Sequence, residues 1–376
     1  MRIVGRLLTL AVIVLTVSPI ISAVAKNESI VLVGTYTDAS SKGIYASRLE
    51  SQTGSLAPLR LVAEINNPSF LAVHPYRKYV YAVGEDNAGT VTAFSVASKG
   101  GLQRLNTVSS KGADPCHLAF DRTGQWLFVA KYSSGSVAVL PVRSDGTLGE
   151  AVGFSQHEGA SVHPQRQSGP HAHSVNISSD NRFLMVNDLG LDKTLVYRFD
   201  SKSGDLTLEP ASLDAVPGSG PRHMTFSPDG RFIWVLHELS STVSAASFEG
   251  SSGIPRELQT LSALPAGFTG SNSGAEIAVH PNGRFLYSSN RGHDSIAVFS
   301  IDPETGRLRP ESWTATGGRT PRNFAIDPTG NFLLVANQDS ENIVTFSIDR
   351  ATGALNRQGT AVDAPKPVSI VFVPEQ

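Results

Sequence analysis

A unit that repeats every 46 to 57 residues constrains the fold of this chain more than any other sequence feature. Each copy has a short apolar run, a turn such as residues 227–231 (SPDGR), a second apolar run and then two further β-rich runs. Seven copies start at equivalent loop positions: Pro68, Pro115, Ala172, Pro221, Gly274, Pro321 and Pro367. Short β-rich runs broken by turns at this period are typical of the four-stranded blades of a β-propeller.

The first and last copies are incomplete in complementary ways. Residues 30–33 read as a second strand with no first strand before it, and residues 367–373 read as a first strand with nothing after it. We therefore predict an all-β, seven-bladed β-propeller, closed by a C-terminal strand that pairs into the N-terminal blade. Residues 26–376 would form this single domain, and ring closure would leave no exposed sheet edge between its ends.

The N-terminus reads as a secretory signal peptide. Arg2 and Arg6 flank the start of an apolar run at residues 7–17, and residues 23–25 (AVA) supply a small-residue cleavage motif. The apolar run is shorter than the ~20 residues that a membrane-spanning helix needs. We predict that residues 1–25 are removed and that the mature protein is periplasmic or secreted, with no stable membrane span. Retention of the segment as a membrane anchor is the alternative.

Composition narrows the classes of partner. The formal net charge of −2 argues against nucleic-acid binding through bulk positive charge. A single cysteine, Cys116, excludes an internal disulfide framework and any zinc site that needs several cysteines.

Polar residues are predicted to converge at one mouth of the central channel, because the start of each first strand and the end of each second strand open on the same face. The mouth positions vary among charged, aromatic and polar residues, whereas the core positions of the repeat stay apolar. First strands contribute Cys116, His117, His173, Arg222, His223, Glu276, Arg322 and Asn323. Second strands contribute Glu85, Lys131, Tyr132, Asp188, His237, Glu238, Asn290, Arg291, Asn337 and Gln338. A repeat that keeps its core and varies one rim indicates a functional site there; the alternative is a channel mouth that is merely hydrated.

One connection, residues 155–172, is unusually long and enters at the same face. It carries His157, His163, Arg166 and His171. Long loops in compact domains are often functional, so we predict a flap over the mouth. The alternative is a mobile surface loop without a role.

Three kinds of chemistry fit these residue types. His171 and His173 are two residues apart and would face one way on a strand, as metal ligands can, but no further ligand stands at a recognised spacing. Metal-free hydrolysis of an ester or lactone needs a base and a stabilised oxyanion. A histidine near its ordinary pKa of ~6.5 suits the base, and Glu238 could share that role if its pKa is raised. The third alternative is a non-catalytic propeller that binds a ligand or a protein. The many titratable groups at the mouth favour catalysis over binding alone. We predict no metal or cofactor.

Several short motifs together resemble the seven-bladed β-propeller lactonase family, which includes 6-phosphogluconolactonase and the fungal carboxymuconate-cyclising enzyme. They lie at residues 34–37, 166–167, 170–175, 187–192, 220–223, 238–239, 289–295, 321–324 and 336–338. The resemblance covers nearly the whole mature chain. It implies lactone chemistry in the central cleft, with His173, Arg222, Glu238 and Arg291 as the catalytic set.

The remaining polar residues of the mouth and flap are expected to bind substrate. They are His117, Lys131, Arg166, Gln167, His171, Asp188, His223, Glu276, Asn290, His293, Arg322, Asn337 and Gln338. Lys131 and His237 stand where relatives commonly have asparagine. We expect hydrolysis of a sugar lactone, and the export signal favours an unphosphorylated one. A lactone-forming cyclase acting on a muconate-type acid is a further alternative.

Overall fold

A computed structural model of the chain describes residues 28–76 and 79–373, so the predicted signal peptide lies outside the described residues. Within these ranges the chain forms seven four-stranded antiparallel sheets and one short 3₁₀ turn, Ser98–Gly100. No helix among the described residues has the length and apolar character needed to cross a membrane. The prediction of an all-β, seven-bladed propeller is confirmed.

The strands follow one another in chain order. The N-terminal strands are β1 (Glu28–Thr35), β2 (Gly43–Glu50) and β3 (Arg60–Glu64). The next two blades comprise β4 (Leu71–Val73), β5 (Tyr79–Gly84), β6 (Thr90–Val96), β7 (Leu102–Ser109), β8 (Pro115–Phe120), β9 (Trp126–Lys131), β10 (Ser136–Pro141) and β11 (Gly153–Gln156). Two more comprise β12 (Ala172–Ile177), β13 (Phe183–Asp188), β14 (Lys193–Phe199), β15 (Leu206–Asp214), β16 (Pro221–Phe226), β17 (Phe232–His237), β18 (Thr242–Glu249) and β19 (Ile254–Ser262). The last are β20 (Ser273–Val279), β21 (Phe285–Arg291), β22 (Ser295–Ile301), β23 (Leu308–Ala315), β24 (Pro321–Ile326), β25 (Phe332–Asn337), β26 (Asn342–Ile348), β27 (Leu355–Asp363) and β28 (Pro367–Val373).

The C-terminal strand closes the ring as predicted. β28 pairs with β1 in a sheet of order β28-β1-β2-β3, with Val33 opposite Ile370. Ile370 is buried in a cluster formed with the blade of β24–β27, and its backbone N–H donates to Asn323 Oδ1 at 2.8 Å. β28 therefore completes the blade of β1–β3 and also contacts Asn323, a residue of the first strand β24.

Adjacent blades hold together through apolar side chains and one recurring close contact. The turn between the third and fourth strands of a blade places a glycine against an aromatic ring of the preceding blade. Gly306 has φ +68° and lies against Phe232, where an added Cβ would be 2.3 Å from Cδ1 of the ring. Only glycine meets both the left-handed conformation and the close approach, which explains the Thr-Gly turn in the sequence repeat.

First strands carry a β-bulge at the point where they enter the channel. In β16, Pro221 pairs with His237 and His223 pairs with Leu236, so Arg222 is the extra residue. The same irregularity makes Cys116, His173 and Arg322 extra residues in β8, β12 and β24. A bulge interrupts the strict alternation of side chains and can re-aim a side chain. Arg222 and the next residue, His223, thereby both reach the channel.

We expect Ile370→Ala to lower the free energy of unfolding by about 2–5 kcal/mol, because it removes buried methyl groups from the closing strand. Urea-induced unfolding measures this directly. Val216→Ala, at a position that is 67% exposed, serves as the control and should change stability by no more than about 0.5 kcal/mol. Equal effects of the two substitutions would contradict the closing role of β28.

Candidate active site

The carboxylate of Glu238 lies at the channel mouth and forms ion pairs with three arginines. Arg166 Nη2 donates to Oε1 at 2.6 Å, and Arg222 Nε donates to Oε2 at 3.0 Å. Arg291 Nη2 lies 3.0 Å from the same Oε2. Glu238 is only 5% exposed, so this carboxylate is largely removed from bulk water. The three cations come from the flap, β16 and β21, and this group brings distant segments to one point.

Protein oxygens hold each arginine in place. Arg222 Nη1 donates to the carbonyl of Ala275 at 2.6 Å, and Arg291 Nη2 donates to the carbonyl of Gly274 at 2.9 Å. Arg166 Nη2 also donates to the Tyr132 hydroxyl at 3.1 Å. Within the described part of the chain, the buried Nε of Arg291 has no acceptor. A buried charged donor without an acceptor is costly, so this atom is a candidate contact for a ligand oxygen.

Electrostatics fix the charge of Glu238. Burial alone would raise the pKa of Glu238, but Arg291, Arg222 and Arg166 overcome burial and hold the pKa well below its usual range. The condition under which Glu238 could act as the base, a raised pKa, is therefore not met, because three guanidinium groups surround it. Glu238 is an anion near neutral pH and a poor proton acceptor.

His173 lies beside this carboxylate, with Nε2 3.8 Å from Glu238 Oε2. Its Nδ1 lies 3.9 Å from the Cys116 Sγ. Burial, followed by the positive charges of Arg222 and Arg322, lowers the pKa of His173 well below 6.5. The pKa of His173 is thus lower than that of an ordinary histidine, and the imidazole is neutral at pH 7. A neutral ring can accept a proton, and the adjacent carboxylate would stabilise the imidazolium that results.

A cluster of imidazole and phenyl rings packs beside His173. The ring centroids of His117 and His223 are 5.1 Å apart, and those of His173 and His223 are 5.3 Å apart. Phe70 packs 4.1 Å from His117. His223 Nδ1 is hydrogen-bonded to Glu276 Oε1 at 3.0 Å. Burial lowers the pKa values of both histidines well below 6.5, so these imidazoles are neutral at pH 7, and burial raises the pKa of Glu276.

A second polar cluster in the mouth consists of Tyr36, Glu85 and Arg322. The Tyr36 hydroxyl donates to both carboxylate oxygens of Glu85 at 3.0 Å. Arg322 Nη2 donates to the Tyr36 hydroxyl at 2.8 Å, and its guanidinium lies 5.1 Å from the centroid of the Tyr36 ring. All three side chains are partly exposed, in contrast to the buried Glu238. We call this set the Tyr36 cluster.

The long loop at residues 155–172 is anchored over the mouth. Arg166 reaches Glu238 from this loop, and the His171 ring stacks 4.4 Å from that of Tyr132. Gln167 is fully buried and donates to the carbonyl of Leu189 at 2.9 Å. The loop thus delivers a charge to the site instead of lying free on the surface.

Asp188, the last residue of β13, binds the flap at two points. His157 Nδ1 and Asp188 Oδ2 are 2.6 Å apart, and Asp188 Oδ1 accepts the backbone N–H of His171 at 2.8 Å. Both side chains are buried. Asp188 and Gln167 therefore hold the flap, and the structure does not bring them to the channel as substrate-binding groups.

Several residues predicted to bind substrate turn away from the channel. They are Lys131, Asn290 and Asn337, together with the mouth residue His237. Lys131 Nζ donates to the carbonyl of Ser110 at 2.9 Å and lies over the Phe154 ring, and burial lowers its pKa to about 7. Successive side chains of a strand point to opposite faces. The last residue of these second strands therefore points away from the channel, and Lys131, Asn290 and Asn337 each donate to a backbone carbonyl of the preceding blade. The next residue, as in Glu85, Tyr132 and Glu238, points to the mouth.

Two further predicted residues lie outside the central group. His293 Nδ1 is hydrogen-bonded to the Ser295 hydroxyl at 2.7 Å, and its ring packs 4.8 Å from Phe268. Gln338 is partly exposed at the rim. The predicted residues that do converge are His117, Arg166, His171, His173, Arg222, His223, Glu238, Glu276, Arg291 and Arg322.

Sequence reasoning placed Glu85 and Tyr132 at the mouth without giving either a function, and it gave no function to Tyr36, although all three lie in the site. Glu85 and Tyr132 occupy the same register position as Glu238, which was the signal for them. Tyr36 was visible only as part of the motif at residues 34–37. Among the described residues, no three His, Cys, Asp or Glu side chains come together as a metal-binding group.

The fold and the site define a class of protein. The family model described as "Lactonase, 7-bladed beta-propeller" matches residues 30–372, and the chain belongs to this family. It is therefore a hydrolase that acts on lactones, as the motif resemblance implied.

Individual relatives support this placement. The chain is 37% identical over 291 residues to a Bacillus subtilis protein named 6-phosphogluconolactonase, which covers 77% of this chain and 82% of the relative. A solved structure of the Pseudomonas aeruginosa periplasmic gluconolactonase is 38% identical, with a TM-score of 0.88, and the match covers 93% of this chain and 100% of the other. A putative 6-phosphogluconolactonase from Bacteroides fragilis is 36% identical, with a TM-score of 0.86 and coverage of 93% and 99%.

We expect Glu238→Gln to loosen the flap, because it removes the charge that Arg166 binds. Amide hydrogen exchange of residues 157–170 should become about tenfold faster or more, since a hydrogen bond to a charged group is worth roughly 1.5–3 kcal/mol. Exchange in strands that carry none of the three arginines, such as β26 and β27, should stay unchanged. Glu158→Gln, at an exposed position of the same loop, is the control with the same change of charge. Unaltered exchange in the first variant would show that Arg166 does not anchor the flap.

Proposed function

We propose that this protein hydrolyses an unphosphorylated sugar lactone of the aldonolactone class without a metal ion. The observation that carries the proposal is the neutral imidazole of His173 beside the ionised Glu238, within a group of arginines at the channel mouth. Lactone opening needs a proton acceptor for water and positive charge for the developing oxyanion. The site offers both within one small volume.

In this proposal His173 is the general base. Water loses a proton to Nε2 of the neutral imidazole while its oxygen bonds to the lactone carbonyl carbon. The imidazolium that forms is stabilised by Glu238, whose Oε2 lies 3.8 Å away. When the tetrahedral intermediate collapses, the ring C–O bond breaks and the leaving alkoxide takes the proton back. The products are the open-chain aldonic acid and the regenerated neutral histidine.

Arg222 and Arg291 supply positive charge to the oxyanion. Both are held by Glu238 and by backbone carbonyls, so their positions are fixed before substrate binds. Fixed charges in a buried site stabilise a transition state without the cost of reorganising solvent. The buried Nε of Arg291, which has no acceptor among the described residues, is the donor that we assign to the oxyanion. Burial lowers the pKa of Arg291 to about 9, so it remains a cation at neutral pH.

The substrate class rests on two supports. The predicted export signal would place the protein outside the cytosol, away from phosphorylated intermediates of sugar metabolism. The match to a protein titled periplasmic gluconolactonase extends over 93% of this chain. We therefore propose periplasmic or secreted action on a neutral aldonolactone such as gluconolactone.

We expect His173→Asn to lower kcat for gluconolactone by about 10²–10⁴-fold, which is the usual cost of losing a general base. Hydrolysis is followed by acid release, with the spontaneous rate subtracted. His74→Asn, which removes an imidazole hydrogen-bonded to Gly124 at a strand turn away from the mouth, is the control and should retain activity per folded molecule.

The same assay is run with and without a chelator. Full activity of His173→Asn would remove His173 from the base role, and loss of wild-type activity in chelator would contradict metal-free hydrolysis. Tight, salt-sensitive binding of the lactone without turnover would favour a binding propeller instead.

The pH dependence of kcat/KM should report the lowered pKa of His173. The base works when it is unprotonated, so activity is present above its pKa and is lost as pH falls through it. Because that pKa lies well below 6.5, we expect constant kcat/KM from pH 8 to pH 6.5 and a decline only at lower pH. A midpoint at or above 6.5 would contradict a buried, neutral His173. The profile is measured with gluconolactone and corrected for spontaneous hydrolysis at each pH.

A further inference from the structure

The Tyr36 cluster occupies the same register positions as the catalytic group, in other blades. Arg322 is the extra residue of the β24 bulge, as Arg222 is of the β16 bulge. Glu85 follows the end of β5, as Glu238 follows the end of β17. Since equivalent positions of a closed ring face the same channel, both groups border one mouth. Arg322 interacts electrostatically with both carboxylates, Glu85 and Glu238, which agrees with this placement.

The two carboxylates differ in how they are neutralised. Glu238 is ion-paired with three guanidinium groups and is 5% exposed. Glu85 is partly exposed, and its side-chain oxygens accept only from the uncharged Tyr36 hydroxyl among the described residues. Each carboxylate oxygen can accept more than one hydrogen bond. Glu85 therefore presents negative charge and open acceptor positions to the mouth.

Arg322 presents unused donors beside these acceptors. Its guanidinium has five N–H groups, and the hydrogen bond to the Tyr36 hydroxyl uses one of them. That hydroxyl already donates to Glu85, so the tyrosine separates the arginine from the carboxylate and prevents a direct ion pair. The donors of Arg322 and the acceptors of Glu85 thus lie side by side without a hydrogen bond between the two side chains.

This combination matches a polyol and disfavours a phosphate. A sugar hydroxyl donates one hydrogen bond and accepts others, so neighbouring hydroxyls can bind Glu85 and Arg322 together. A phosphate dianion offers only acceptors to this site and would lie next to the charge of Glu85. The charge of Glu85 therefore distinguishes a polyol from a phosphate, because Arg322 alone would attract either ligand.

We infer that Glu85 determines specificity: with Arg322 it binds the hydroxyl-bearing part of the lactone and excludes substrates phosphorylated there. This inference rests on the proposed function, because it assumes that a sugar lactone is the substrate. It adds a residue that distinguishes neutral from phosphorylated sugars, at a distance from the bond that breaks.

The test is the isosteric substitution Glu85→Gln, which removes the charge and keeps an acceptor for Tyr36. Binding of the ring-opened products, gluconate and 6-phosphogluconate, is measured by calorimetry, which does not require turnover. We expect the affinity for 6-phosphogluconate to rise about tenfold or more relative to that for gluconate, because a like charge next to the phosphate is lost. Glu150→Gln, an exposed position in the loop after β10, has the same change of charge and should leave the ratio unchanged.

The outcomes separate this inference from the proposed function. An unchanged affinity ratio in Glu85→Gln, with the fold intact by thermal melting, overturns the role of Glu85 whether or not lactones are hydrolysed. The kcat/KM values for gluconolactone and 6-phosphogluconolactone are measured on the same proteins. If the wild type hydrolyses neither lactone but the binding ratio shifts, the hydrolytic proposal fails while the specificity role of Glu85 is supported.

Discussion

The buried carboxylate of Glu238 organises the site, because three guanidinium groups are arranged around it. Without this anion, Arg166, Arg222 and Arg291 would be cations in mutual repulsion at the centre of the molecule. With it, each arginine is held in a defined position, and the flap is drawn to the mouth through Arg166. Removing one partner of a buried charged group is far more costly than the net worth of the pair. The carboxylate therefore positions charges, and in the proposed mechanism His173 is the group that accepts the proton.

The propeller supplies the geometry that this arrangement requires. Seven sheets around one axis give every blade a first strand that reaches the channel, and the bulges allow consecutive residues such as Arg222 and His223 to enter it. The blades also carry different groups at equivalent positions. One sector holds Glu238 among arginines, and another holds Glu85 beside Tyr36. One repeat thus gives two polar groups at the mouth, which we propose are the reacting centre and the surface that binds the rest of the ligand.

Much of the fold could be predicted from the sequence because it depends on periodicity, which is visible in the residues themselves. The incomplete first and last copies even indicated that β28 would pair with β1. The candidate site was harder, since the bulges depend on three-dimensional pairing. Alternation along a strand should have separated Lys131, Asn290 and Asn337 from their neighbours Tyr132, Arg291 and Gln338. The pKa values of Glu238 and His173 could not be predicted, because they depend on the burial and charges that only the assembled ring creates.

A crystal structure of the His173→Asn variant with bound gluconolactone would test the central claim most directly. The account predicts that the lactone occupies the mouth, with its carbonyl carbon within reach of residue 173 through one water molecule. Its carbonyl oxygen should face Arg222 or Arg291. A lactone bound elsewhere on the propeller, or one whose carbonyl points away from both arginines, would contradict the account.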